Sequence, residues 1–475
     1  MKRKLNKFLN DNSGIKKILL PLIGLFPFSA FKSKNYKRHL KTLEYFETLS
    51  KDEIEKWKYD LLKKVINNAY ENIPFYNKLY RANNFNPSSF KSLQDIELIP
   101  TISKKDIKNN LNRFISKKFN KNKLVEKYSG GSTAAPLKFF LDEKQDDLEP
   151  SYYEFIWKKY GYNFGKDKCV VIKGDKIART KNGIFSLSKY NPVMKTLTFD
   201  SDYLNKIDYI GYYLEDIDNL KSEVLFGYPS SIYQLAKTIK ASGRKAPKFR
   251  LILLASENTY TEQNNFMKEV FGSEDIFFHY GHSEQVLAAY KIFNSNELAF
   301  IPLYGHVELI NDNKNILGRD DTSVGELVGT NYSMGFPFIR FKTNDYAVNS
   351  TSKKSMFSDN CVVNSIEGRL QEYIVTKDKR LVSLCTMGGA HFSSISKALE
   401  TQYVQKTPGF LTFHVVENKE DPFTKMDIKS IKREMDEKFE YSIDTSVKIV
   451  EKITKLPSNK KSMIKQYLNI NEFLG

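Results

Sequence analysis

The chain has 475 residues, 41% hydrophobic and 27% charged, a balance that fits a folded, water-soluble protein of two or three domains and excludes a disordered one. Net charge is +18, yet the lysines are spread along the whole length, with no compact basic arm, zinc-finger or RNA-recognition pattern, which argues against nucleic acid. Three distant cysteines (Cys169, Cys361, Cys385) indicate a reducing, cytoplasmic compartment rather than a disulfide framework, and six scattered histidines do not compose a zinc site.

No stretch reaches the ~20 apolar residues that a membrane helix needs. Ile18 to Phe31 comes nearest, but two prolines and a glycine interrupt it and basic residues flank it. It is expected to pack on the protein, with peripheral contact to the cytoplasmic face of a membrane as the alternative. Residues 36–70 read as one helix from the spacing of Leu43, Phe46, Leu49 and Ile54, then Leu61, Leu62, Val65 and Ile66. Pro74 breaks it, and Ser103 is placed to cap a short helix after Pro100.

Lys127 to Phe140 collects Ser129, Gly130, Gly131, Ser132 and Thr133, then Pro136 and Lys138. Small residues let backbone N–H groups approach an anion, and the hydroxyls add donors. This is a phosphate-gripping loop or an ordinary flexible hairpin. It lacks the G-x-x-x-x-G-K-[ST] order of a Walker loop.

Strands are expected at 169–174, 224–227 and 250–255, and helices at 143–160, 203–219 and 261–271. A further helix starts near Pro229, capped by Ser230 or Ser231. This alternation predicts α/β layers. A strand from Ile276 runs into Tyr280, Gly281, His282, Ser283 and Glu284, the composition of a nucleotide site at a sheet edge or of a tight turn into a helix capped by Ser283. Glu326–Gly329 and Phe336–Phe341 read as strands, with Asp345 just beyond the second, either as a ribose-binding carboxylate or as a solvated turn. A new β-unit begins after Gly368–Arg369, with Gln371 near a hinge. The tail has strands at 410–416 and 446–453, a helix at 427–441, and a lysine cluster at Lys460, Lys461 and Lys465.

The order of these clusters (YSGGSTAAP, YGHSE, FKTND, EGRLQE, a terminal lysine), with AYENIPFY, the DIxxIPxxxKxDI element, FGYPSSIYQLA and LYGHVELI, resembles the adenylate-forming, acyl-CoA synthetase-like superfamily. Within it the chain is most similar to the phenylacetate–CoA ligase family and its capsule polysaccharide branch. The resemblance implies an α/β fold: a large N-terminal multi-sheet α/β domain (1–367, with 1–58 a helical extension) and a small mobile α+β C-terminal domain (368–475). It implies that ATP and Mg²⁺ are used, and CoA in some members, to activate a carboxylic acid as acyl-AMP. The acyl group then passes to CoA, a carrier protein or an amino-sugar amine. By it, Ser129, Gly130, Gly131, Ser132 and Thr133 hold the β/γ-phosphates. Tyr280 stacks on adenine beside Gly281, Ser283 bonds the α-phosphate, Glu284 holds Mg²⁺, Asp345 and Arg369 serve the ribose and hinge, and Lys461 (Lys460 second) bridges carboxylate and α-phosphate. Three departures stand out: Ala134 where a glycine is usual, Gln371 at the hinge, and no glycine before the terminal lysine. An aryl-CoA ligase and a degenerate nucleotide-binding protein are the alternatives, and the acid and the oligomeric state are not implied.

Overall fold

The computed structural model describes residues 26–129, 137–369, 373–383, 398–417, 422–453 and 464–473, apart from positions 174, 176, 182, 183, 258, 260, 313, 353, 354, 360 and 440. Among them, no helix is long and apolar enough to cross a membrane. The segment Ile18–Phe31 lies mostly outside the described residues; Phe28–Phe31 forms one 3₁₀ turn.

The single helix expected over 36–70 is two, Lys34–Phe46 and Lys51–Asn72. Ser50 breaks it. Its side chain accepts from the Glu53 N–H, while the Glu53 carboxylate accepts from the Ser50 N–H at 2.8 Å, a reciprocal capping box. Apolar spacing continues through the break because Leu49 is buried too. Pro74 ends the second helix at Asn72 and opens another, Pro74–Ala82, from its first turn, where a missing N–H costs nothing. Ser103 caps Lys104–Asn110 as expected, with Asp106 closing the box.

The chain forms two compact units. In the first (1–38, 150–257, 263–277), strand Cys169–Ile172 lies parallel to Thr196–Phe199 on one side and Val224–Gly227 on the other, and Leu251–Ala255 continues the parallel run. Val224–Gly227 and Leu251–Ala255 are buried at every position, as strands covered on both faces must be. Gly227 is required by close approach: a Cβ there would meet the Ile172 carbonyl oxygen at 2.1 Å. Pro229 opens the helix Pro229–Ala241, but neither Ser230 nor Ser231 caps it. The Glu257 carboxylate, remote in sequence, accepts from the Ser230 N–H at 3.0 Å and takes that role.

The second unit (39–149, 258–262, 278–475) is mostly antiparallel. Strand Asp275–Gly281 enters it and pairs with Ala288–Lys291. Leu298–Phe300, Val362–Arg369, Phe341–Asn349, Val324–Asn331 and Gly305–Asn311 follow in sheet order. The expected strand 336–341 is displaced: pairing starts at Phe341, and Asp345 stands in mid-strand rather than past its end. Residues 336–340 instead form a buried loop held from several sides. The Tyr76 hydroxyl donates to the Pro337 carbonyl (3.0 Å) and accepts from the Ile339 N–H (2.9 Å). Asn331 Oδ1 accepts from the Phe338 N–H at 3.0 Å, and Arg340 takes a left-handed φ of 50°.

Strand Val362–Arg369 ends at the Gly-Arg pair, and Tyr373–Val375 pairs antiparallel with Leu381–Ser383. Beyond it, a four-stranded sheet in the order 444–449, 410–417, 398–407, 464–466 carries the helix Lys425–Lys438. Ile374, Leu411, Phe413, Val415, Ile431 and Met435 form its core. The last long strand runs Asp444–Ile449, earlier than the expected 446–453.

Candidate active site

The glycine-rich loop grows from a short hairpin. Val125–Tyr128 pairs with Lys138–Leu141 in register Tyr128↔Lys138. At its mouth the Ser129 N–H donates to the Leu137 carbonyl at 2.9 Å, and the Leu137 N–H donates to Ser129 Oγ at 3.0 Å. Ser129 therefore closes the base of the loop, and its hydroxyl proton is left to donate elsewhere. Gly130, Gly131, Ser132, Thr133 and Ala134 lie outside the described residues.

Residues Asp275–Gly281 end a buried strand, and the chain then turns through 282–287 into an antiparallel neighbour. The alternative of a helix capped by Ser283 does not occur. The turn is pinned at Gln285, which has a left-handed φ of 51° and donates its N–H to the His282 carbonyl at 2.9 Å. The Gln285 carbonyl accepts from Gln145 Nε2 (3.2 Å) and Asn331 Nδ2 (3.4 Å). A fixed turn sorts its side chains: Ser283 is exposed, whereas Glu284 is 4% exposed. Lys104, from the first turn of the helix that Ser103 caps, brings its Nζ within 3.4 Å of Glu284 Oε1.

Tyr280 lies edge-on to Phe300 and His282, with ring centroids 6.3 and 5.7 Å apart. Its hydroxyl donates to Asp345 Oδ2 at 2.7 Å. Both residues are buried. Asp345 owes its position to Thr343 of its own strand. Its N–H donates to Thr343 Oγ1 at 3.0 Å, and the Thr343 hydroxyl donates to the Leu327 carbonyl at 2.7 Å. Across the ladder, Asp345 is in register with Arg369. Tyr280, Glu284, Asp345 and the backbone of Arg369 thus belong to one sheet and its adjoining turn. Gln371, Lys460 and Lys461 lie outside the described residues.

Elsewhere in the same sheet, the buried carboxylates Glu308 and Glu326 are each paired with a cation. Arg340 makes a forked pair with Glu308, Nε to Oε2 at 3.0 Å and Nη2 to Oε1 at 2.8 Å. Its Nη1 donates to the carbonyls of Glu97 (3.0 Å) and Ile99 (2.6 Å). Burial pushes the Glu308 carboxyl up, and Arg340 draws it back down. Burial likewise raises Glu326, opposed by Lys342 at 3.0 Å. Lys104 and Arg340 were not among the expected site residues. Lys104 is the lysine of the DIxxIPxxxKxDI element, so a signal for it exists in the sequence. Arg340 precedes FKTND, but nothing in its spacing indicates a partner 32 residues back.

A mixed α/β chain with these groups at one sheet edge has the fold of the adenylate-forming ligases. It matches 2-hydroxyisobutyryl-CoA ligase in the postadenylation state, in complex with R3-HIB-AMP, with a TM-score of 0.67 and 15% identity over 90% of this chain and 93% of that one. An open conformation of the same ligase with 2-HIB-AMP and CoA gives 0.54 and 15% over 89% and 93%. In sequence, the chain is similar to protein CapK of Staphylococcus aureus, 23% identical over 93% of this chain and 96% of that one. A shorter segment is 34% identical to the phenylacetate-coenzyme A ligase of Escherichia coli K12, over 68 residues, 14% of this chain and 16% of that enzyme. No family model matches. The recognition drawn from the motifs, adenylate-forming superfamily and phenylacetate–CoA ligase family with its capsule branch, agrees with these likenesses.

Proposed function

We infer that this chain is an ATP-dependent, AMP-forming carboxylate ligase that works in surface-polysaccharide synthesis. The observation that carries this reading is the 2.7 Å hydrogen bond from Tyr280 to Asp345. It joins the YGHSE and FKTND motifs, 65 residues apart in sequence, into one buried pair next to Glu284. The full-length likeness to CapK supports the capsule branch.

In this reading a substrate carboxylate attacks the α-phosphate of ATP, giving acyl-AMP and pyrophosphate. Both reactants are anionic, so charge must be neutralised where they meet. Tyr280 and Asp345 orient the nucleoside, and Ser129 with the loop it closes holds the β/γ-phosphates. Exposed Ser283 reaches toward the α-phosphate. Glu284 suits Mg²⁺, which is commonly held by one or two carboxylates plus phosphates and water; the cation, when bound, withdraws charge from the phosphates. Lys461 is the proposed bridge to the carboxylate. The proposed working domains are 1–367 and 368–475, with rotation about Gln371 before transfer to CoA, a carrier thiol or an amine. The proposed compartment is the cytoplasm, with membrane contact through 18–31 as an option.

Pyrophosphate release that requires both ATP and a carboxylic acid tests the reading. A broad panel of acids that yields no release, while ATP still binds, would leave a nucleotide-binding protein without ligase activity. The segment shared with the phenylacetate-coenzyme A ligase keeps an aryl-CoA ligase as the second reading, which acid and acceptor preference would separate.

A further inference from the structure

We propose that the groove between helix Pro74–Ala82 and the segment 111–117 is a binding site for a diphosphate-bearing ligand, separate from the candidate active site. The groove encloses about 830 Å³ and is lined by Lys78, Arg81, Arg113 and Lys117, with Glu71 as the single carboxylate. That leaves a net +3 in one concave space, from four cations and one anion. Its volume falls in the ordinary range of small-molecule sites.

General lysine enrichment does not account for the composition. The chain has 74 lysines and arginines, of which only twelve are arginine, yet two of the four cations here are arginines. Arginine's planar fork matches phosphate oxygens in pairs, which lysine cannot do. No ion pair joins any of these four cations to another described residue. Arg81 instead lies over the ring of Tyr70, 6.0 Å from its centroid.

The frame beneath is rigid. Phe114 stacks on Phe75 at 4.1 Å and meets Tyr76 edge-on at 5.5 Å. The Lys117 N–H donates to the Asn72 carbonyl at 2.9 Å, and the Asn77 side chain donates to the Tyr70 carbonyl at 2.7 Å. These contacts fix the two backbone segments that carry the four exposed cations, whose like charges repel one another across the groove. A dianionic or trianionic group spanning the groove would relieve that repulsion. The same chemistry could come from a soluble diphosphate or from a phospholipid headgroup that carries two phosphates.

The test uses the full chain. Calorimetric titration with inorganic pyrophosphate is compared between the unaltered protein and the double variants Arg81→Ala/Arg113→Ala and Arg81→Lys/Arg113→Lys. The groove predicts a salt-sensitive class of sites, weakened about tenfold or more in the alanine variant and partly kept in the lysine variant. Pyrophosphate release driven by ATP and an acid stays unchanged in both, so failure here and failure of the ligase reading are distinguishable. Co-sedimentation with cardiolipin-containing vesicles, whose headgroup carries two phosphates, against phosphatidylcholine alone, assigns the source: arginine-dependent recruitment identifies a lipid headgroup. Identical pyrophosphate isotherms and identical vesicle binding in all three proteins would overturn the proposal.

Discussion

Lys104 holds its ammonium 3.4 Å from the carboxylate of Glu284, a pair 28% and 5% exposed at the side chains. The helix Lys104–Asn110 thus supplies a cation to the carboxylate assigned to the metal. Removing Lys104 leaves a nearly buried carboxylate without its partner, which a divalent cation would then satisfy. Lys104→Met is therefore expected to gain more thermal stability from Mg²⁺ than the unaltered chain does, and Glu284→Gln to gain none. Melting curves with and without Mg²⁺ check this; equal Mg²⁺ shifts in all three proteins would remove Glu284 from the metal site. Glu284→Gln should also lower acyl-AMP formation by roughly two orders of magnitude.

Tyr280 and Asp345 make a buried hydrogen bond with one charged partner, of a kind worth about 1.5–3 kcal/mol. Tyr280→Phe keeps the ring against Phe300 and His282 and deletes only that bond. Its expected effect is a loss of about 1.5–3 kcal/mol in urea unfolding, with a higher KM for ATP and a nearly unchanged KM for the acid. Asp345→Ala removes the proposed ribose acceptor as well and should reduce acyl-AMP formation by orders of magnitude. An unchanged KM for ATP in Tyr280→Phe would separate the pair from nucleotide binding.

The elements that the sequence disclosed are those whose causes are local. Ser103 with Asp106, Pro74, and the apolar run into Tyr280 each depend on neighbours within a few residues. The misplaced elements depend on distant partners. Residues 336–341 look like a strand from composition, yet Tyr76, Asn331 and Thr330 bind their backbone as a loop, with Thr330 Oγ1 accepting from the Arg340 N–H at 2.9 Å. The cap of Pro229–Ala241 comes from Glu257, and no pattern around Ser230 points there. The site shows the same division. Its motifs are contiguous and readable, whereas the pairing of Tyr280 with Asp345 and of Glu284 with Lys104 is set by the sheet register and a distant helix.

Arg340 and Glu308 form a forked ion pair at 6% and 0% side-chain exposure, and Arg340 also binds two carbonyls. Breaking one side of such a pair strands a buried charge and costs about 3–5 kcal/mol. Arg340→Met should thus be strongly destabilised in urea unfolding. Arg340→Lys should recover only part of the loss, because an ammonium cannot replace the fork and the two carbonyl bonds together. Because Arg340 immediately precedes the strand carrying Asp345, nucleotide affinity should fall in both variants under conditions where they remain folded. A lysine variant as stable as the parent would show that the planar fork is not needed here.

His306 stands in strand Gly305–Asn311 and is 9% exposed, and its Nδ1 has no hydrogen-bond partner among the described residues. Burial, then the charges of Lys58 and Arg340, depress its pKa from 6.5 to about 3. Burial by itself would lower the Lys58 pKa, but Asp359, 2.7 Å away, together with Cys361 and Tyr332 raises it, so Lys58 persists as a charge. His306 is therefore neutral in the folded chain throughout the mildly acidic range, while in the unfolded chain it takes up a proton below about 6.5. Its contribution to stability is complete above that value and is lost as pH falls from about 6.5 toward 3, at about 1.4 kcal/mol per pH unit. Glu308 and Glu326, raised by burial, act in the opposite sense but are common to the parent and to His306→Gln, so the difference between the two isolates His306. Between pH 6 and 4.5, the parent should lose about 2 kcal/mol more than His306→Gln in urea unfolding. Parallel stability curves over that interval would mean that His306 is protonated in the folded protein and that its neighbourhood holds a counter-charge.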